Sequence, residues 1–131
     1  MDETWVREWY DRYLTTFARW ATRESDDGAE LLACYAVPLL VTTHAMVRSL
    51  STAEDVSALL EQQVQEARAA GYHHSDVIDF AVTTLSATTS LLRVGLMRVD
   101  GDGGEIERLT ATYLLIDDGA GLQAAALLLH G

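Results

Sequence analysis

Apolar residues at the start of the chain fall on a helical stripe. Trp5, Trp9, Tyr13, Phe17 and Trp20 recur at spacings of three and four, with Arg7, Glu8, Asp11, Arg12 and Arg19 on other faces. Asp2 and Glu3 suit the positive end of such a helix. A break at Ser25-Asp26-Asp27-Gly28 leads into a short second helix, with Asp27 and Glu30 spaced as a capping box, Glu30 to Tyr35 as its body and Pro38 as its stop. Leu39 to Thr43 has strand character, and Met46 to Leu50 is its return partner across a tight connection at His44-Ala45. Ser51 and Glu54 repeat the capping pattern. Val56, Leu59, Leu60, Val64 and Ala67 then trace one apolar face up to Gly71.

Beyond Gly71 the period shortens to that of strands. Val77 to Ser86, Ser90 to Val99, Glu105 to Ile116 and Leu122 to His130 are separated by turn-forming stretches, among them Asp100-Gly101-Asp102-Gly103-Gly104 and Asp117-Asp118-Gly119-Ala120-Gly121. Helices first and an antiparallel meander afterwards predict an α+β fold, with helices on one face of a curved antiparallel sheet, in a single domain over residues 1–131. Along Leu122 to Leu129, strict alternation sends Leu122, Ala124, Ala126 and Leu128 one way and Ala125, Leu127 and Leu129 the other, so both faces are apolar. One face covers the helices. The other calls for a second layer, for which a homodimer through the outer sheet face is the economical source, although small alanines also tolerate exposure.

Composition narrows the function. Twenty acidic residues against nine basic ones give a net charge of −11, which disfavours nucleic acid and anionic membranes as partners. All nine basic residues are Arg, so a lysine Schiff base and a Walker-type phosphate lysine are excluded. The acidic start Met1-Asp2-Glu3 is unlike a signal peptide and no apolar run is long enough for a membrane span, so a cytoplasmic protein is expected. Cys34, the sole cysteine, sits among Leu31, Leu32, Ala33 and Tyr35 and suits a buried thiol better than a nucleophile.

The element order, with the segments Asp11-Arg12-Tyr13-Leu14 and Thr112-Tyr113-Leu114-Leu115 and a glycine-containing turn before the last strand, resembles the nuclear transport factor 2-like superfamily over nearly the whole chain. That resemblance implies a cone, its sheet wrapped around the helices and a pocket open at one end. The superfamily includes ketosteroid isomerases, scytalone dehydratase, limonene epoxide hydrolase, polyketide cyclases and many non-catalytic members, so it speaks to fold more than to activity. In its isomerase-like branch a helix tyrosine and a protonated strand aspartate form an oxyanion hole, and another aspartate moves the proton. Tyr13 matches the tyrosine, Tyr113 falls at the second donor, and Thr42 or Thr43 falls where the base belongs. Threonine has no accessible pKa near neutrality, which argues against ketosteroid-type isomerisation here.

The implied pocket gives several side chains a possible role. Tyr13 and Tyr113 would donate to a carbonyl or developing enolate, or else are core residues with satisfied hydroxyls. His44, at the expected rim, is the acid/base candidate, and Asp79, a lone carboxylate in Val77-Ile78-Asp79-Phe80-Ala81-Val82, is the second; a turn histidine and an outward strand aspartate are the plainer accounts. Arg93 would bind a ligand carboxylate, orient Asp79 or serve in an edge or interface ion pair. Trp9, Phe17 and Trp20, with Met97, would line a cavity for a flat apolar molecule. No cofactor or metal is expected. His73 and His74 are adjacent, so in an extended segment their rings point apart, and Asp100-Gly101-Asp102 fails as a calcium loop because Glu105 and Ala111 stand where Gly and Glu belong. The expected function is that of a small-molecule binder acting as a cofactor-free isomerase, cyclase, dehydratase or hydrolase on a polyketide, terpenoid or aromatic metabolite. The alternative is a non-catalytic ligand-sequestering or dimeric interaction module.

Overall fold

A computed structural model describes residues 1–24 and 28–130. Helix α1 (Glu3–Ala21) starts at Asp2, whose carboxylate accepts the Thr4 amide at 2.9 Å. Its buried row is Val6, Trp9, Tyr10, Tyr13, Phe17 and Ala21, while Trp5 is 57% exposed. The cause is helical geometry: each four-residue step overshoots a full turn by about 40°. A row centred on Tyr13 therefore leaves the interface at Trp5, and Val6 takes its place.

Helix α2 (Ala29–Leu32) is shorter than the sequence predicts, and its expected cap Asp27 lies outside the described residues. Tyr35 belongs instead to strand β1 (Tyr35–Thr42), which contains Pro38. Strand β2 (Val47–Leu50) pairs only with Leu39–Thr42, so over its first half β1 has a free side where the missing N–H of proline breaks no ladder bond. Helix α3 (Ala53–Ala69) is capped by Thr52, not Ser51; the Thr52 hydroxyl accepts the Asp55 amide at 3.1 Å. Val56, Leu60, Val64 and Ala67 form its buried row, and Gly71 follows its end at φ +78°, a left-handed conformation that glycine adopts without strain.

Strands β3 (Tyr72–Thr84), β4 (Thr89–Asp100), β5 (Glu105–Asp117) and β6 (Leu122–Leu129) form the expected meander. The sheet is six-stranded, in the order β2-β1-β6-β5-β4-β3, curved and unclosed. It is not wholly antiparallel, because β1 runs parallel to β6. α1 packs against β3 and α3 against β1, so the helices fill the concave side and the core lies between them and the sheet.

Irregular pairing corrects three further expectations. β3 begins at Tyr72, so His73 and His74 are strand residues, and a register shift between Tyr72 and His74 leaves His73 as a bulge. A second shift in β3 lies between Val77 and Asp79. In β6, Ala124 pairs with Leu115 and Ala126 with Leu114, so Ala125 is skipped and the alternation inverts. Ala124, Leu127 and Leu129 thus face the core side, and Ala126 and Leu128 face outward with their partners Leu114 and Thr112.

Leu60, 1% exposed, anchors α3 in the core. Leu60→Ala is expected to destabilise the fold by about 2–5 kcal/mol through lost burial and the cavity left behind, measured as a lower urea midpoint with an unchanged slope.

Candidate functional site

A cavity of about 410 Å³ opens between α1, α3 and the concave face of the sheet. Its apolar lining comes from Leu14 and Phe17 of α1 and from Leu96, Leu109, Leu127 and Leu129 of the sheet. Tyr13 and Tyr113 also line it, one from the helix and one from the strand opposite. The polar lining includes Gln63 and Glu66 of α3, Ser75, Arg98, Glu107 and the β1–β2 turn residues Thr43 and His44. This is the size and the mixture of apolar wall and few polar groups that small-molecule sites have.

The phenols are organised by the aromatic stripe of α1. Tyr13 stacks on Trp9 at 5.6 Å and on Tyr10 at 5.6 Å, and meets Tyr113 edge-on at 5.8 Å. Behind it, the Tyr13 and Tyr35 hydroxyls share a hydrogen bond of 2.6 Å in the core. When Tyr35 is the donor, Tyr13 keeps its own proton to give, and the incoming bond makes that proton a stronger donor. The Tyr10 hydroxyl is buried without a partner. Burial pushes the phenols of Tyr10, Tyr13, Tyr35 and Tyr113 up from their ordinary value. At neutral pH they are donors, not bases.

The wall formed by β4 and β5 carries the charge. Arg98 and Glu107, cross-strand partners, form an ion pair of 3.2 Å, and the guanidinium lies 5.3 Å from the Phe17 ring centroid and 6.0 Å from that of Tyr72. Arg98 Nε is buried without a partner. Neither residue stands out in the sequence; the signal is that Leu92, Val94 and Leu96 set the inward parity of β4, which Arg98 continues. Tyr35 escaped notice for another reason, since the periodicity places it in a helix.

Of the residues singled out from the sequence, Tyr13, Tyr113, His44 and Phe17 converge on this cavity. Asp79 does not. It pairs with Gly95, where an added Cβ would stand 3.2 Å from the Asp79 Cβ, so both face away from the buried row Leu92, Val94 and Leu96. Asp79 is exposed on the outer face, and Arg93 and Met97 share that side of β4. An aspartate beside an inward-facing Phe80 is outward by strand alternation, and the apolar run conceals this because both sheet faces are apolar. Trp9 is buried behind the tyrosines, and Trp20 lines a separate hollow with Leu32, Ser57, Glu61 and Arg68. Cys34 is half-buried, its thiol pushed up by burial, which suppresses thiolate chemistry. Among the described residues, no group of three or more His, Cys, Asp or Glu side chains converges to hold a metal ion, and no helix is long and apolar enough to cross a membrane.

A helix-filled, open curved sheet with its cavity at the mouth is the architecture of the NTF2-like proteins, and a family model described as NTF2-like protein (DUF6841) matches residues 2–131. The chain belongs to this NTF2-like family. No protein of curated function matches its sequence. Among solved structures, an NTF2-like protein with a cystatin-like fold from Novosphingobium aromaticivorans superposes with a TM-score of 0.72 at 16% identity, covering 98% of this chain and 80% of that one. A Nostoc punctiforme protein with a cystatin-like fold gives 0.74 at 8% identity, over 98% and 90%. A Novosphingobium aromaticivorans protein provisionally named a scytalone dehydratase gives 0.67 at 9% identity, over 96% and 80%. At such identities the likeness is one of fold.

All five tyrosines, Tyr72 included, are held above their ordinary value by burial. A raised phenol pKa stabilises nothing extra below the unfolded value and removes stability above it, because the unfolded chain then releases protons that the folded chain keeps. Each such phenol withdraws about 1.4 kcal/mol per pH unit above about pH 10. Tyrosinate absorbance at 295 nm is therefore expected to stay flat above that pH and then rise in one step together with loss of helical circular dichroism.

Proposed function

We propose that this NTF2-like protein binds an uncharged, mostly apolar carbonyl compound of polyketide, terpenoid or aromatic type in the cavity beside Tyr13 and Tyr113. The observation that carries the reading is the pair of buried, protonated phenols at an apolar cavity wall, one of them backed by Tyr35. Such donors stabilise charge developing on a carbonyl oxygen in a site that excludes water. His44, exposed at the mouth, is a group placed to take or return a proton, with Glu66 and His130 also on the cavity wall, which suits cofactor-free isomerisation, cyclisation, dehydration or hydrolysis. The dehydratase name of one structural neighbour is in keeping with that chemistry. Charge argues for a neutral ligand: Arg98 is already paired with Glu107, Glu66 adds a second carboxylate, and the chain carries −11 overall.

The alternative is ligand sequestration without turnover. It is favoured by the engagement of Glu107 with Arg98, which leaves Glu66 of α3 as the lining carboxylate without a salt bridge among the described residues. Both readings fit a cytoplasmic protein. They also share a partner, a second copy of the chain. The outer sheet face exposes Leu40 at 41% and Val47 at 74%, beside the half-buried Leu114 and Leu128. Of its charged groups, Asp79 and Arg93 make no ion pair to another side chain among the described residues, whereas Asp76 and Arg108 each make one. A two-fold axis lets each charge meet its opposite on the other copy, as an isologous contact requires.

The binding reading is tested with 1-tetralone and its hydrocarbon counterpart tetralin, followed by quenching of tryptophan fluorescence. The ketone is expected to bind about tenfold more tightly, the worth of one buried hydrogen bond, and Tyr113→Phe should reduce that advantage without weakening tetralin. Equal binding of both by the wild-type chain would remove the phenols from the account. The dimer is tested by sedimentation: Arg93→Asp should shift the equilibrium toward monomer, and adding Asp79→Arg should restore the dimer, whereas a wild-type monomer at micromolar concentration ends the proposal.

A further inference from the structure

Adjacent histidines in a regular strand present their rings to opposite faces. Here they meet. The bulge at His73 places its ring beside that of His74, with the two Nδ1 atoms 2.9 Å apart and the ring planes at 86°. His74 and Asp76 are two apart in the strand and share a face, and His74 Nε2 lies 3.3 Å from the Asp76 carboxylate. All three side chains are accessible, at the start of edge strand β3, and none of them lines the cavity of Tyr13 and Tyr113.

From this geometry we propose that His73 and His74 form a chelating site for a late first-row divalent cation, Cu²⁺ above all, bound through the two Nδ1 atoms. The carboxylate of Asp76 holds the proton of His74 on Nε2, which leaves His74 Nδ1 as an acceptor and makes His73 Nδ1 the donor in the metal-free pair. A histidine ligand whose other nitrogen donates to a carboxylate is the usual supporting arrangement of metal sites. For the ion to enter, His73 moves its proton from Nδ1 to the water-exposed Nε2 and turns its ring so that both lone pairs share one point; no net proton is lost. Two nitrogens at right angles around one ion, each about 2.05 Å from it, stand about 2.9 Å apart, which is the spacing already present. With two protein donors the ion keeps open positions for water, and imidazole pairs of this kind favour Cu²⁺ over Ni²⁺ and Zn²⁺ by the general order of divalent affinities.

The experiment titrates CuSO₄ into the full chain, with calorimetry for affinity and electron paramagnetic resonance for the ligand atoms. The expected result is one Cu²⁺ per chain with hyperfine structure from two nitrogens, weaker Ni²⁺ binding at the same site, and loss of Cu²⁺ on acidification as protons compete for the same nitrogens. His73→Ala and His74→Ala should each weaken binding at least tenfold, and Asp76→Asn about tenfold. His44→Ala and His130→Ala should leave it unchanged. Circular dichroism confirms folding of each variant, and His73→Gln stands in should the alanine form misfold. Binding that survives loss of His73, or that depends equally on His44 or His130, overturns the site, as does the absence of stoichiometric binding.

Discussion

The structure depends on hiding hydroxyl-bearing rings in a dry interior. Four tyrosines, Tyr10, Tyr13, Tyr35 and Tyr113, meet where α1 crosses the concave sheet, and each brings a large apolar body with one polar atom. A phenylalanine at each position would fill the same space with fewer demands. The hydroxyls require partners, and the 2.6 Å bond between Tyr13 and Tyr35 supplies one across the helix-to-sheet boundary. That bond ties the register of α1 to β1, and the same packing leaves the Tyr13 and Tyr113 edges on the cavity. Stability and the candidate chemistry thus draw on one cluster.

Much of the architecture was legible in the sequence because its signals are periodic. The α1 stripe, the apolar face of α3 and the turn stretches around Gly103 and Gly119 each repeat one message over many residues, and the structure follows them. Single-residue events were not legible. Nothing in the composition of β6 marks Ala125 as the skipped residue, yet that skip reverses which of Ala124 to Leu129 face the core. Pro38 read as a stop because proline cannot donate to a ladder; it is accommodated because β2 is too short to reach it.

The candidate site divides along the same line. Tyr13 and Phe17 were found from helical spacing, and His44 from its position after a strand. Asp79 was left open between the cavity and the outer face because a run apolar on both faces carries no orientation, and only pairing with Gly95 reveals its outward direction. Arg98 and Glu107 were overlooked because their significance lies in being neighbours on paired strands nine residues apart, which is a property of register. Residues brought to the cavity by position along one element were readable, and residues brought there by pairing between elements were not.

The parallel seam between β1 and β6 has a consequence for how the chain acquires its shape. β6 is the last strand made and the one that joins the β2-β1 pair to the β5-β4-β3 block. Until it leaves the ribosome, the two parts of the sheet have no common strand, and Tyr35, held for nearly ninety residues of synthesis, lacks its neighbour Ala124. Assembly is therefore a late closing event between distant parts of the polypeptide, the kind of topology that folds slowly for its size.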